Sequence, residues 1–436
     1  MIRTIYNLLY PPFAAFSAPF WLLKTRKRGG LGPRLGEKLA QYGPESPRPT
    51  PERASRPIYL HAASVGEANI ARKLIVAWAE HSPEARFLLA VGTSTGFDLV
   101  RQSPPPGTEV LYAPLDVPSL IRRMLDRFQP GLIVLIEHEV WPNLMHEASR
   151  RRIPVALVNA RLSERSGARL AKARPLVESM YRGLTWVGAQ SEDDRPRLAA
   201  IGIREEVIHV TGSIKFDPAR STPASTNFDP RPLLTSLGPD ESPILMALST
   251  HGGEELLFAR AAATVGEARL VIIPRHMERR DEICRELRAA GFAVRLRSAD
   301  AGANTPTPTT DGQTLILVVD STGEMPAFTR HATIAFVGKT LTATGGQNPC
   351  EAIAEKIPVL AGPHLENFEP LASELRARGG LLSVTNEEEL ARGLRSLLSD
   401  PRAARQQAAE ALAVLESHRG ATDRTIAALA KLAHPD

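Results

Sequence analysis

Along the 436-residue chain, short runs of aliphatic and β-branched residues recur between stretches whose apolar positions repeat every three or four residues. In the first half the runs are IYLHAA from Ile58, FLLAVG from Phe87, EVLYAP from Glu109, LIVLIE from Leu132, VALVNA from Val155, WVGAQ from Trp186 and EVIHVTG from Glu206. Between the first two, Ile70, Leu74, Ile75 and Trp78 share one helical face. Strands apolar on nearly every residue, separated by amphipathic helices, predict a parallel sheet covered on both sides. The rhythm breaks over 217–234, rich in Pro, Ser and Thr, which reads as an interdomain linker. It restarts with ILMALST from Ile244, LVIIPRH from Leu270, LILVVD from Leu315, TIAFVG from Thr333 and IPVLAG from Ile357, then closes in helical patterns from Glu387 onward. The pattern predicts an α/β protein with two doubly wound, Rossmann-like domains, 31–216 and 235–436, facing a cleft. The low-complexity stretch 301–314 (AGANTPTPTTDGQT) predicts a surface spacer loop.

The first 30 residues follow a different pattern. Ile5 to Leu23 is uncharged and rich in large apolar side chains, and Lys24, Arg26, Lys27 and Arg28 follow at once. This segment predicts membrane association, as a spanning anchor or as an interfacial segment. It barely reaches the roughly 20 residues a spanning helix needs, and Pro11, Pro12 and Pro19 each break or kink such a helix. In both readings the basic run lies against anionic headgroups on the cytoplasmic side. A cleaved signal is disfavoured, because only Arg3 precedes the apolar run and no small-residue cleavage site follows.

Composition narrows the functional classes. With 43% hydrophobic and 23% charged residues the bulk of the chain folds around a sizeable core. Cys284 and Cys350 are too few for a disulfide framework, no Cys/His cluster has zinc-site spacing, and a reducing cytosolic compartment fits. No metal and no cofactor is expected. The net charge of +5 favours an acidic partner. Nucleic acid is not expected, since aromatics are only 5% and no basic-aromatic strip or recognised module is present.

In open α/β sheets ligands sit beyond the carboxyl ends of the strands, and the unusual residues fall there. SVGE follows the first strand, STHGGEE (Ser249 to Glu255) the first strand of the second half, PRHMER (Pro274 to Arg279) the next, and GKTLTATGGQNPCEA (Gly338 to Ala352) a later one. Gly345-Gly346, then Gln347, Asn348 and Pro349 before a helix carrying Glu351, suits phosphate: glycine lets the backbone approach a ligand, and free N–H groups at a helix start attract an anion. On these residues alone, Asn348 as a helix cap and Glu351 as a dipole-stabilising carboxylate remain the plain alternatives. Arg275, straight off an apolar strand, suits bidentate phosphate contact, or is a solvated surface arginine. Glu67 is likewise either a helix-start carboxylate with Ser64 as cap or a group aimed at a ligand.

HAASVGE, IEHEVWPN (Ile136 to Asn143), NARLSERS (Asn159 to Ser166), AQSEDD (Ala189 to Asp194), TGSIKFD (Thr211 to Asp217), STHGGEE and GGQNPCEAIAEKIPVLAGPHLENF (Gly345 to Phe368) occur in order. With the N-terminal segment they resemble the 3-deoxy-D-manno-octulosonic acid (Kdo) transferases of lipopolysaccharide core biosynthesis, from the N-terminus to about residue 385. The resemblance implies a GT-B glycosyltransferase, anchored at the cytoplasmic face of the bacterial inner membrane, that uses CMP-Kdo as donor and a lipid A precursor as acceptor. It implies Glu67 as catalytic base, with Ser64, Gly66, Glu137 and Glu139 on the acceptor side or supporting it. Ser249, Thr250, Arg275, Lys339, Gly345, Gly346, Gln347, Asn348 and Glu351 are implied as donor-binding. The chain departs from the family pattern at Ser213, where Asn is usual, Gly252 (Glu), Lys339 (Gly) and Gln347 (His). The alternatives are a GT-B enzyme using another nucleotide-sugar donor and a non-catalytic membrane-associated homologue.

Overall fold

A computed structural model describes residues 3–10, 12, 34–43, 56–217, 228–300 and 313–433. It divides into two compact units, Met1–Arg220 with His418–Asp436, and Ser221–Ser417. The linker expected at 217–234 and the spacer at 301–314 lie largely outside the described residues, as does most of the apolar stretch 5–23.

In the first unit seven strands pair in parallel in the order β3-β2-β1-β4-β5-β6-β7. They are β1 Ile58–Ala62, β2 Phe87–Val91, β3 Thr108–Tyr112, β4 Leu132–Ile136, β5 Val155–Ala160, β6 Trp186–Ala189 and β7 Ile208–Val210. Every residue of β1, β2, β4, β5 and β6 is buried, as strands covered on both faces require. The register sets Tyr59 beside Leu88 and Ile133. One face packs Leu60, Leu74, Trp78 and Phe87 with helix α1 (Val65–His81), and the other packs Tyr59, Leu135, Leu144 and Phe128. The strand order reverses between β1 and β4, so their carboxyl ends define the switch point at which such sheets bind ligands.

The second unit repeats the plan with the order β10-β11-β9-β8-β12-β13-β14, all parallel. Its strands are β8 Ile244–Thr250, β9 Arg269–Pro274, β10 Ala293–Leu296, β11 Leu315–Val318, β12 Ile334–Val337, β13 Val359–Ala361 and β14 Leu382–Ser383. Two of them, β10 and β14, are not among the expected runs.

The domain boundary at 436 needs correction. The last helix, Ala421–Ala433, belongs with the first unit, where Ile426, Leu429 and Ala433 join the apolar cluster of α1. Asp217 pins its start: Oδ1 accepts from Gly420 N at 3.0 Å and Oδ2 from Thr422 N at 2.8 Å. The spanning reading of the N-terminal segment falls mostly on residues outside those described. Among the described residues no helix is long and apolar enough to cross a membrane. Residues 3–10 are helical, with Ile5, Leu8 and Leu9 exposed at 42%, 74% and 61% and the polar side of the turn facing the first unit.

Candidate active site

At the end of β1 the chain passes through Ala63 and Ser64 into α1. Ser64 is the N-cap in extended conformation, and its Oγ accepts from Glu67 N at 3.2 Å. The Glu67 carboxylate reaches back, Oε1 accepting from Ser64 Oγ at 2.8 Å and Oε2 from Ala63 N at 2.7 Å. This is the reciprocal geometry of a capping box, so Glu67 does cap the helix. The same contacts hold it at the switch point in one rotamer. Burial, opposed by these hydrogen bonds and reinforced by the Glu137 charge, pushes its pKa above the ordinary carboxylate value. A fixed carboxylate with a raised pKa is a better proton acceptor than a solvated one. Gly66 is not demanded by packing: a Cβ there meets nothing closer than Ser64 Oγ at 3.8 Å.

Across the switch point β4 delivers two more carboxylates. Glu137 has φ +59°, its N–H donates to Val158 O, and Asn159 Nδ2 approaches its Oε1 at 3.5 Å. Glu139 accepts from Trp141 Nε1 at 2.8 Å and lies 3.9 Å from His61 Nε2. Burial, and then the Glu67 and Glu137 charges, push Glu139 up to about 7, while burial brings His61 down to about 4. His61 is therefore neutral at pH 7, and its contact with Glu139 is not an ion pair. His61, Trp141 and Asn159 were quoted only as parts of blocks in the sequence. His61 meets Glu139 from 78 residues away and Asn159 meets Glu137 from 22, separations of which local pattern carries no signal, whereas the Trp141–Glu139 contact spans two residues.

The raised Glu139 value has a measurable consequence. A carboxyl whose folded pKa exceeds its unfolded one contributes its full stability below the unfolded value and loses it as pH rises through the folded value. For a rise from 4.5 to about 7 the loss is about 3 kcal/mol by pH 8. Glu139→Gln is expected to melt higher than the native protein at pH 8 and with no gain at pH 4, measured by thermal denaturation at both.

In the second unit the expected donor residues are brought to the ends of β8, β9 and β12. Ser249 has φ +53° and its Oγ faces Met325 Sδ at 3.4 Å. Thr250 is fully buried, its hydroxyl donating inward to Glu255, which also accepts from Arg279. Arg275 is exposed and makes no ion pair among the described residues. Gly338 must be glycine, since a Cβ would lie 2.5 Å from Ser249 O. Lys339, at φ +55°, follows it and also makes no ion pair among the described residues. Its ammonium sits 3.7 Å from where a Cβ on Gly345 would be.

Glu254, quoted in the sequence only within STHGGEE, organises this loop. Its buried carboxylate accepts from the N–H groups of Lys339 at 2.5 Å, Thr340 and Leu341 at 2.9 Å, and His251 at 2.9 Å. Gly345 and Gly346 have φ of +101° and +71°; their Cβ atoms would lie 2.6 Å from Asn367 Nδ2 and from His364 O. Close approach to residues 364–367 explains both glycines, and the Gly345 N–H donates to Glu366 at 2.6 Å instead of being free for a ligand. Asn348 Oδ1 accepts from Cys350 N at 3.1 Å, a turn contact that leads into the helix, whose N-cap is Pro349 and not Asn348. Gln347 is half-buried between these two. Glu351 is on the five-residue helix Cys350–Ala354, half-buried, with Oε2 unpartnered and a pKa raised by burial.

Ser213 lies in the first unit, its Oγ 3.4 Å from Asn159 Oδ1 and its N–H donating to His418 Nδ1. Beside Gly252 there is room, a Cβ meeting only Arg279 Nη2 at 3.7 Å. Among the described residues no group of three or more His, Cys, Asp or Glu is placed to hold a metal ion.

Residues 33–218 match the sequence model of the family described as 3-deoxy-D-manno-octulosonic-acid transferase (kdotransferase). The chain is 31% identical over 398 residues to the 3-deoxy-D-manno-octulosonic acid transferase of Haemophilus influenzae, covering 90% of each protein. It is 32% identical over 440 residues to the protein of the same name from Bordetella pertussis, covering 98% of this chain and 99% of that one. Among solved structures it is similar to the UDP-GlcNAc 2-epimerase of Neisseria meningitidis (TM-score 0.51, 14% identity, 86% of this chain and 100% of that one). It is also similar to a glycotransferase of kitacinnamycin (TM-score 0.50, 13% identity, 86% and 99%). At these identities the likeness is one of fold, and it agrees with the expected pair of parallel-sheet α/β domains.

Proposed function

The chain belongs to the Kdo transferase family, and from that membership we propose an inverting, metal-independent glycosyltransferase that moves Kdo from CMP-Kdo to a hydroxyl of a lipid A precursor. The observation that carries the mechanism is Glu67: a carboxylate locked at the switch point by Ala63 N and Ser64 Oγ, with a raised pKa. Its free lone pairs take the proton of the acceptor hydroxyl as that oxygen attacks the anomeric carbon of Kdo through an oxocarbenium-like state, with no covalent intermediate. The Glu137 charge keeps the local potential negative and so keeps Glu67 basic. Gly66 leaves the space above the base open.

The departing CMP is a weak base and calls for positive charge more than for a general acid. Lys339 and Arg275, which make no ion pair among the described residues, supply it, and the unpartnered Glu351 Oε2 is available to ribose hydroxyls. Ser249 stands at the end of β8 as a further donor. For localisation we propose the cytoplasmic face of the inner membrane. The exposed Ile5, Leu8 and Leu9, followed by the basic run 24–28, support an interfacial attachment to an anionic surface.

The test is CMP release from CMP-Kdo by the detergent-solubilised protein, with and without a tetraacylated lipid A precursor. Acceptor-dependent release with a matching mass increase on the lipid is expected. Lys339 and Gln347, which replace the usual Gly and His, support a second reading in which the same fold takes another nucleotide sugar. A uridine nucleotide sugar preferred over CMP-Kdo in the same assay would establish that reading. Absence of turnover with every donor would leave a non-catalytic homologue.

A further inference from the structure

A cavity of about 130 Å3 opens in the first unit at the carboxyl ends of β1, β2 and β3, beside the switch point. Its wall includes Ala63, whose N–H holds Glu67, so it lies beside the residue that positions the base. Tyr10, Lys38, Tyr59, His61, Asp116 and Trp141 contribute the rest of its character. We propose that this cavity is the saccharide subsite of the acceptor, and that the N-terminal helix, through Tyr10, is a working wall of it. The proposal rests on the transferase reading for the identity of the ligand, and on the cavity alone for its chemical class.

The lining selects a neutral, hydroxyl-bearing ligand. Lys38 carries the one basic group in the wall, and it is already engaged: Nζ donates to Gly92 O at 2.5 Å and lies 5.3 Å over the Tyr112 ring. Burial lowers its pKa to about 8. Asp116 offsets it in charge, with Oδ2 accepting from Asn143 N at 3.0 Å and Oδ1 from Leu144 N at 2.9 Å. A phosphate would meet this carboxylate, and Glu139 behind Trp141, with a single cation to oppose them. A sugar edge instead finds aromatic surfaces for its C–H groups in Tyr10 and Trp141 and a neutral imidazole for a hydroxyl. The volume equals about four waters at roughly 30 Å3 each, room for a hydroxymethyl arm and one edge of a pyranose.

Tyr10 is held in this wall from a distance of over 130 residues along the chain. The amides of Asn7 and Asn143 pair reciprocally, at 2.7 and 3.2 Å, and Arg3 Nε donates to Asn143 Oδ1 at 3.1 Å. Asn143 is fully buried and donates in turn to Asp116 O at 2.7 Å. Tyr6 stacks on Tyr10 at 5.0 Å. The segment's apolar side chains point away while its polar ones fasten it to the acceptor unit, so it does more than attach the protein to a surface.

The test uses two acceptors, the tetraacylated precursor and its fully deacylated, water-soluble glucosamine disaccharide, with two variants. Ala113→Leu fills the cavity from the end of β3, and Tyr10→Ala removes the wall. Each is expected to raise KM about tenfold for both acceptors and to weaken disaccharide binding, measured by calorimetry without donor, by the same factor. A Tyr10→Ala effect confined to the lipid acceptor would mean that the helix acts through the bilayer alone and would overturn the wall. KM and binding within twofold of native in Tyr10→Ala and in a folded Ala113→Leu would overturn the subsite. If the native protein transfers nothing yet binds the disaccharide with this variant pattern, the transferase reading fails and the cavity assignment stands. No binding to the native protein overturns it.

Discussion

Glu67→Gln is expected to lower acceptor-dependent turnover by about 10^2 to 10^4, the range a general base contributes, while leaving the fold intact. Glutamine has the same shape, and its one oxygen can still accept from Ala63 N while its amide donates to Ser64 Oγ, whose hydroxyl is free to turn. What disappears is the basic lone pair. Glu67→Ala separates the two roles, because it removes the cap partner as well and adds a stability loss of about 0.5–2 kcal/mol. A cap without a catalytic role predicts the reverse ranking: Gln near native in rate, Ala slower only in proportion to unfolding. The pH profile gives an independent reading. Because the folded pKa of Glu67 is raised, activity falls as pH drops through a value above the usual 4.5. Glu137→Gln, by removing a like charge, moves that acid limb downward. Turnover of Glu67→Gln within threefold of native removes Glu67 from the mechanism.

The residues that sequence pattern places well are those whose role is local. The central strands are apolar at nearly every position because both faces are covered. Glu67 is legible because a carboxylate three residues after a serine at a strand end is a recognisable local unit. The edge strands of the second sheet are not legible in the same way. Within β10, Arg295 interrupts the apolar run, and only the structure shows its guanidinium donating to Ser236 Oγ at 2.7 Å. With two residues, β14 is too short for any pattern. The return of the last helix to the first unit depends on Asp217 meeting residues 420 and 422, a pairing over 200 positions long. Gly345 and Gly346 illustrate a subtler limit. Glycine at positive φ signals close approach of something to the backbone, but not of what. Here it is the chain's own segment 364–367, and the same two residues read in isolation suggest a phosphate.

Glu254→Ala is expected to destabilise the second unit by about 3–5 kcal/mol and to abolish CMP binding. The carboxylate is fully buried and gathers four N–H groups at 2.9 Å or less, three from consecutive residues of the 339–341 loop and one from His251. Each orphaned buried donor costs about 1–3 kcal/mol. The loop can recover part of this by opening to water, which holds the total near the cost of breaking a buried ionic contact. For a unit of about 200 residues that is on the order of 10 °C in melting temperature. The functional loss follows from the backbone. Lys339 occupies a left-handed conformation that a side chain rarely adopts, and the two strongest determinants of that turn are the Glu254 carboxylate and the tight Gly338–Ser249 approach. Released from Glu254, Lys339 relaxes to an ordinary φ and its ammonium leaves the Gly345-Gly346 turn. Glu254→Gln is an intermediate case, because its amide would point two further donors at a cluster of N–H groups. Calorimetric melts and CMP titrations of both variants measure the coupling. A Glu254→Ala protein that melts within 2 °C of native, or binds CMP normally, would mean that the loop holds its shape without the carboxylate.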